Sequence, residues 1–406
     1  MKQLYALLLL GTLAQGQWHY SGHIDWTNQG YLTRPDDKHS TNNTLFTELE
    51  AEYQKNDLEL QAKVSAQLDS YDLQESSQKN ERSFVRLDEL YATYSFEDDA
   101  VMAGKGVRFW GALEVDNIVD GFNPDDLRSD LMEPDKLGVW HAAFTHYTDS
   151  GEVELLVKLR EEDQPMAAYP YVYYFFPEFV TYDDDLGTEK SRYRPSFYLK
   201  WSGSTDTEYA LDYAFIIENG YDSQRYFQAD VLLTNFKEQA YLVNKLMSYN
   251  TLVTGATLWK LEALYSDVLN DGKVSDYWHV GVGVEHTLSQ IYGSADLGLI
   301  GEYYRYETVE SGKLTDLELF ELFQDDLFLG MRYSFNDVDD ASIVGGVVLD
   351  LEYDEQSYYV EYETRVAETF KLKADYRYIE PSEDTLTAFN LMGRHQRISV
   401  KIGYYF

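Results

Sequence analysis

The stretch whose reading decides the fold is the last one, HQRISVKIGYYF, residues 395–406. From Ile398 every second residue is apolar: Ile398, Val400, Ile402, Tyr404 and Phe406. The positions between them hold Arg397, Ser399, Lys401, Gly403 and Tyr405. A period of two puts the first set on one face of a β-strand and the second on the other. Such a strand fits the edge of a soluble sandwich. It also fits a transmembrane barrel, whose apolar face meets lipid and whose polar face meets a wet lumen.

The rest of the chain separates the two. Residues 45–53 set Leu45, Thr47, Leu49, Ala51 and Tyr53 against Glu48, Glu50 and Glu52. The same alternation recurs in 58–68, 278–287, 358–366 and 370–378. Eighteen stretches read as strands: 18–30, 43–54, 57–68, 85–96, 100–110, 138–147, 151–160, 193–203, 206–218, 243–256, 258–267, 276–288, 293–306, 323–336, 341–353, 356–367, 369–380 and 394–406. Each even-numbered strand is followed by a tight link such as Lys55-Asn56. Most odd-numbered ones are followed by long segments: 69–84, 111–137, 161–192 and 219–242. Asp354-Glu355 is short where a long loop is expected, and 219–242 is hard to parse, so sixteen strands is the alternative count. The asymmetry predicts an all-β fold, a transmembrane antiparallel β-barrel of about eighteen strands with short periplasmic turns and long extracellular loops.

Composition agrees. The 406 residues include 36 Tyr, 7 Trp and 20 Phe but no Cys, and the formal net charge is −38. Tyr and Trp suit the bilayer interface, where the ring is in apolar surroundings and the polar tip is wet. Without Cys there is no disulfide framework and no thiolate metal site. Past the N-terminus no apolar run is long enough for a helical span. The acidity argues against nucleic acid as a partner. Lys2, the apolar run Leu4 to Leu10 and the small-x-small site Ala14-Gln15-Gly16 predict a cleaved signal peptide over 1–16, and a single barrel over 17–406.

The terminal x-Tyr-x-Phe, carried by Tyr404 and Phe406, resembles the C-terminal signal of bacterial outer-membrane barrels that the assembly machinery reads. A second resemblance lies in WGALEVDNIVDGFNPDDLR, residues 110–128. Trp110, Gly111, Asp120, Asn123, Pro124, Asp126 and Leu127 match the W-G, Asp and N-P-x-D-L spacing of a large, mostly uncharacterised proteobacterial outer-membrane barrel family. Leu87-Asp88-Glu89-Leu90-Tyr91-Ala92 resembles that family's N-E-A-Y-type strand, and Gly104-Lys105-Gly106 stands where it has G-R-Q. Lys105 in place of Arg cannot make a bidentate contact. The resemblance implies a porin-like or exporter-like barrel in the outer membrane and names no cargo.

Several groups are candidates for chemistry. Asn123-Pro124-Asp125-Asp126 is strong turn chemistry, and the mixture of Asp116, Asp120 and Asp126 with Arg128 predicts that loop 111–137 bends into the lumen and sets its constriction. There it would satisfy Glu89 and Arg108, with Arg128 pairing to wall carboxylates and Lys105 nearby. Glu48, Glu50, Glu52, Lys63, Glu361, Glu363, Arg365, Lys371, Lys373, Arg377, Arg397 and Lys401 predict facing charge ladders where the first and last strands close. Residues 165–182, PMAAYPYVYYFFPEFVTY, predict an aromatic extracellular patch that contacts a solute or the outer leaflet. Asp183-Asp184-Asp185 is a candidate for loop-bound Ca²⁺ or for bridging lipopolysaccharide, although no calcium-loop spacing is present; no other cofactor is expected. None of the eight His lies in a nucleophile or metalloprotease motif, so an enzyme is not expected.

The expected function is a channel for a small solute in the outer membrane. One alternative is a conduit for an apolar or amphiphilic molecule working with a periplasmic partner. Another is a non-conducting structural or surface-binding barrel.

Overall fold

The computed structural model describes residues 17–35, 38–73, 82–128, 130–205, 207, 209–269, 272–310 and 317–406. The expected signal peptide, 1–16, lies outside them. Eighteen strands form one sheet: Gln17–Thr33, Thr41–Lys55, Leu58–Asp69, Phe84–Phe96, Asp99–Gly106, Val139–Thr148, Gly151–Lys158, Ser196–Ser204, Ala210–Tyr221, Leu242–Thr254, Thr257–Leu269, Tyr277–Tyr292, Ala295–Thr308, Asp325–Ser334, Ser342–Asp350, Gln356–Val366, Phe370–Glu380 and His395–Tyr405. Each pairs antiparallel with its neighbours in the barrel, and the first strand pairs with the last from His23↔Tyr405 to Thr33↔Gln396. The sheet is therefore a closed barrel with no free edge. The segment 219–242 resolves into the end of one wall strand, a hairpin of Tyr226–Ala229 and Asn235–Ala240, and the start of the next wall strand at Leu242. That hairpin pairs in parallel with Thr181–Thr188, giving a small sheet apart from the barrel wall.

Tight connections gather at one rim and long ones at the other, because each short link follows an even-numbered strand. Asn56 takes φ 50° and Gly255 φ 63°, the left-handed values that two-residue hairpins require. Leu49, Phe215, Leu246, Leu261 and Ile402 point outward and stay exposed in the isolated chain, as lipid-facing residues do. Aromatic rings cluster at the short-turn rim, with Trp201 on Tyr213 at 5.2 Å and Phe370 on Tyr404 at 5.3 Å between centroids. They form the girdle expected at a membrane interface.

The interior has two unlike halves. On one side Trp110, Val119 and Phe122 from loop 107–138 are buried against inward-facing Val139, Leu156, Tyr198, Ile216, Met247 and Leu264. A compact apolar core thus sits inside the barrel. On the other side the wall is polar and borders open volume.

The seam is closed by backbone pairing at its last residue: Gly22 N donates to Phe406 O and Phe406 N to Gly22 O, each at 3.0 Å. The Phe406 ring also stacks on Tyr404 at 5.8 Å. Deleting Phe406 removes both bonds, each contributing about 0.5–1.5 kcal/mol. Refolded protein should then show a smaller heat-modifiable fraction on gels and a lower unfolding temperature than the parent. Equal fractions and midpoints would show that the seam does not depend on its final residue.

Candidate functional site: a loop-filled lumen and its charged passage

The strand Asp99–Gly106 ends where the long loop begins, and one side chain ties the two ends of that loop together. Asn123 Oδ1 accepts from Arg108 N at 2.8 Å, while its Nδ2 donates to Gly106 O at 3.2 Å and Leu137 O at 2.7 Å. Pro124 O takes Leu137 N, and Asp125–Asp126 pairs with Asp135–Lys136. Asp120 Oδ1 accepts from Trp110 N at 3.1 Å. Lys136 Nζ donates to Asp120 O at 2.9 Å and lies 2.9 Å from Asp125 Oδ1. Gly111 has φ +142°, and a Cβ there would fall 2.2 Å from Asn117 Oδ1, so the W-G pair needs its glycine. Burial pushes the Asp120 carboxyl up to about 6, and Lys136 acts against that rise.

Two inward-facing glutamates of the wall then hold the loop across the lumen. Glu262 accepts from the backbone N–H groups of Ala112, of Leu113 at 3.0 Å and of Val119 at 3.3 Å. Glu302 accepts from Glu114 N at 2.8 Å, Val115 N at 3.3 Å and the Tyr304 hydroxyl at 2.7 Å. The Leu113 side chain rests on a bare stretch of wall: a Cβ on Gly281 would meet it at 2.4 Å and one on Gly283 at 3.0 Å. Arg332 pairs with Glu114, and Lys260 lies 3.7–3.8 Å from Glu114, Glu285 and Glu302.

The far side of the loop faces the first and last strands. Asp130 pairs with Arg397 and lies 4.0 Å from Arg377, which also holds Glu133. Desolvation would raise the Asp130 carboxyl, but the two guanidiniums outweigh it and keep that group well below its usual range. Arg86 reaches Asp126 at 2.6 Å. Between loop and wall lies a cavity of about 560 Å³ that also borders Asp25, Glu48, Lys63, Glu89, Glu361, Lys373 and Lys401. His23 and Glu48 are shared with a second cavity of about 490 Å³, lined by Ser21, Gly22, Glu50, Tyr405 and Phe406 at the short-turn end.

The candidate residues fall into three groups. Glu48, Lys63, Glu89, Glu361, Lys373, Arg377, Arg397 and Lys401 are brought together around the larger cavity. Their pairing is diagonal as well as lateral: Lys63 lies 3.5 Å from Glu89 and 3.8 Å from Glu48, and Lys373 lies 2.6 Å from Glu361; Lys371 and Glu363, 2.7 Å apart, pair in the same way away from that cavity. Asp116, Asp120, Asn123, Asp126 and Arg128 belong to the loop scaffold. Five residues are placed otherwise than expected. Arg128 pairs with its loop neighbour Asp126 at 2.6 Å and lies over the Phe84 ring, and the wall there supplies Arg86, which also reaches Asp126. Arg108 and Glu89 are satisfied by Glu154 and Lys63 of the wall, not by the loop. Lys105 Nζ donates to Leu87 O at 2.6 Å beside the register shift between the third and fourth strands, and Arg365 sits exposed at the short-turn rim 3.1 Å from Asp340. Neither lines the cavity.

The aromatic stretch 165–182 is mostly not an exposed patch. Tyr171, Val172, Tyr173 and Tyr174 are buried. The Arg82 guanidinium lies 3.9 Å over the Tyr171 ring, Tyr71 meets that ring edge-on, and the Tyr173 hydroxyl is 3.2 Å from Arg397. Arg82 and Tyr171 both border the larger cavity. Asp183 and Asp185 face Lys237 at 3.8 and 3.1 Å.

Reading by residue type missed Glu262, Glu302, Gly281 and Gly283, which do the holding. Their one signal was the alternating glycines in the run VGVGVE, 280–285, which keep that lumen face bare.

No protein-family model matches the chain, and no curated relative matches its sequence. Solved structures do match. OpdO of Pseudomonas aeruginosa superposes with a TM-score of 0.55 at 9% identity, over 97% of this chain and 98% of its own. OccK5 (OpdH) of the same organism gives 0.53 at 10%, over 97% and 98%. Wzi of Escherichia coli, described as a carbohydrate-binding β-barrel involved in group 1 capsule assembly, gives 0.52 at 8%, over 99% and 87%. The fold is that of an outer-membrane β-barrel.

Within this outer-membrane-type barrel the loop anchorage is testable. Changing Glu262 to Ala leaves buried loop amides without their acceptor, at about 1–3 kcal/mol for each orphaned group. Denaturant unfolding in detergent should move to lower concentration by several kcal/mol in total, with strand content by circular dichroism retained. An unchanged midpoint would mean that the apolar core alone holds the loop.

Asp120 makes a second test. Its folded value near 6 lies above the ordinary 3.8, so folding favours the protonated carboxyl. That contribution is complete below pH 3.8 and is lost as pH rises through 6. Relative to Asp120→Asn, the parent should lose on the order of 2–3 kcal/mol of stability between pH 4 and pH 7. A difference that stays flat across this range would count against the buried-carboxyl account.

Proposed function

We propose that the protein is an outer-membrane channel of porin type for a small polar solute, exported by its N-terminal signal and folded into the membrane by assembly machinery that reads Tyr404 and Phe406. Outer-membrane lipid and lipopolysaccharide surround it in this reading, and it performs no covalent chemistry. One observation carries the proposal. The long loop is held to one side of the lumen and leaves a charged cavity on the other, which shares His23 and Glu48 with a second cavity toward the short-turn end. The larger cavity is bordered by nine carboxylates and eight Lys or Arg side chains, so the passage is nearly balanced although the chain carries −38. Such walls favour a solute with both charges, or with hydroxyls that bond to either, over a simple ion. Selectivity for small ions should accordingly be a weak cation preference set at the acidic mouth, fading as salt rises.

A second reading has its own observation. Tyr171 borders the cavity and packs with Tyr71 and Tyr173, which fits a closed barrel that binds a ligand at its surface; Wzi, of like fold, is described as a carbohydrate-binding β-barrel. Loop burial removes most of the exposed aromatic patch that favoured an apolar conduit. Planar-bilayer recording distinguishes the first two. A channel should give discrete conductance steps in the parent, larger ones when 111–136 is replaced by a short Gly-Ser link, and a higher open fraction in Tyr171→Ala/Tyr173→Ala. No steps in the parent, with steps only after both changes, would favour the closed surface barrel.

A further inference from the structure

Where the loop crosses the lumen, three side chains from three separate parts of the chain converge. Asp116 comes from the loop, His279 from the wall strand Tyr277–Tyr292, and Glu321 from the end of the short 3₁₀ turn Glu318–Phe320. Each offers one ligand atom, and these atoms lie within 4.8 Å of one another. We propose that Asp116, His279 and Glu321 bind a divalent transition-metal ion of the Zn²⁺ type, which bolts the lumen loop to the wall.

Each group is prepared for that role. His279 is 4% exposed, and its Nε2 is 3.1 Å from Phe323 O. A carbonyl can only accept, so Nε2 carries the proton and Nδ1 keeps its lone pair. A ring nitrogen donating to a backbone carbonyl is the arrangement that orients metal-binding imidazoles. Among the described residues Nδ1 has no hydrogen-bond partner. The ring is held edge-on to Tyr306 at 5.5 Å. Asp116 is positioned through its backbone, whose N is 3.2 Å and whose O is 3.3 Å from the Tyr304 hydroxyl. Among the described residues its carboxylate has neither a hydrogen bond nor an ion pair. Lys136, the cation it couples to, is taken up by Asp120 and Asp125. Glu321 Oε2 accepts from Gln224 Nε2 at 2.6 Å, which orients the carboxylate from behind.

The electrostatics call for a cation. Asp116 and Glu321 bring two mutually repelling carboxylates together, and among the described residues neither has an ion pair. A divalent ion would replace that repulsion with attraction. Imidazole with carboxylates suits Zn²⁺ and its first-row neighbours, with water completing the shell. Ligand atoms around tetrahedral Zn²⁺ sit about 3.4 Å apart, so side chains whose ligand atoms lie within 4.8 Å must draw together to close on an ion. Ca²⁺ is a poorer fit, because it prefers a shell of six or more oxygens.

The test uses the full mature chain in detergent, stripped with EDTA, dialysed and titrated with ZnCl₂ by calorimetry. The metal retained after gel filtration is counted by mass spectrometry. The parent should keep one zinc per chain, and Asp116→Asn and Glu321→Gln should each weaken binding at least tenfold. Asp183→Asn/Asp185→Asn, which alters a surface acidic cluster, should bind as the parent does. Zinc should also raise the temperature of the heat-modifiable transition in the parent and not in the two ligand variants, whose folding is checked by that same transition without metal. Two results would overturn the proposal: a parent that retains no stoichiometric zinc, or variants that bind it as tightly as the parent.

Discussion

A chain segment that crosses the inside of a barrel brings its own peptide groups with it, and no neighbouring strand is there to pair them. An unpaired buried N–H costs free energy comparable to a lost hydrogen bond. Loop 107–138 meets this constraint with side chains. Glu262 and Glu302 project from the wall and take five consecutive or near-consecutive loop amides, from Ala112 to Val119. Asn123 closes the neck, and Asp120 caps Trp110. Everything else about the lumen depends on the loop being held there.

With the loop secured on one side, the interior divides. Trp110, Val119 and Phe122 displace water from the sixth to eleventh strands and build a core like that of a soluble domain. The remaining cavity lies between the loop's outer edge and the strands on either side of the seam. Its charges are matched at short range: Asp130 with Arg397, Glu133 with Arg377, Asp126 with Arg86. Those pairs connect the loop to the opposite wall, so the same residues that shape the passage also brace the loop. A passage edged by ion pairs presents donors and acceptors together.

The division was partly legible. Strands that border the open cavity alternate strictly, as in 45–53 and 58–68, because one face must meet water. Strands under the loop do not. In 214–217, AFII, Ala214 and Ile216 are buried inward while Phe215 and Ile217 face out. Loss of alternation on one side of a barrel marks the wall that something apolar covers. The motif residues of 110–128 were visible as turn chemistry, and their partners within the loop follow from that chemistry. Their partners on the wall did not, because Glu262 and Glu302 look in sequence like any other lumen-facing acid.

By itself the sequence determined the order of the strands and their number to within sixteen or eighteen, which face of the clearest ones meets lipid, and which rim carries the long loops. Each of these follows from a local period of two and from the spacing of turns, and neither depends on distant residues. Tertiary structure alone decided where the loops go and which charges meet. Arg128 turning to Asp126, Arg365 leaving the ladder for Asp340, and Asp116 meeting His279 and Glu321 all depend on distances across a closed barrel. Closure brings residues hundreds of positions apart within reach of each other, and the strength of an ion pair or a ligand contact is set by that reach and by the water excluded around it.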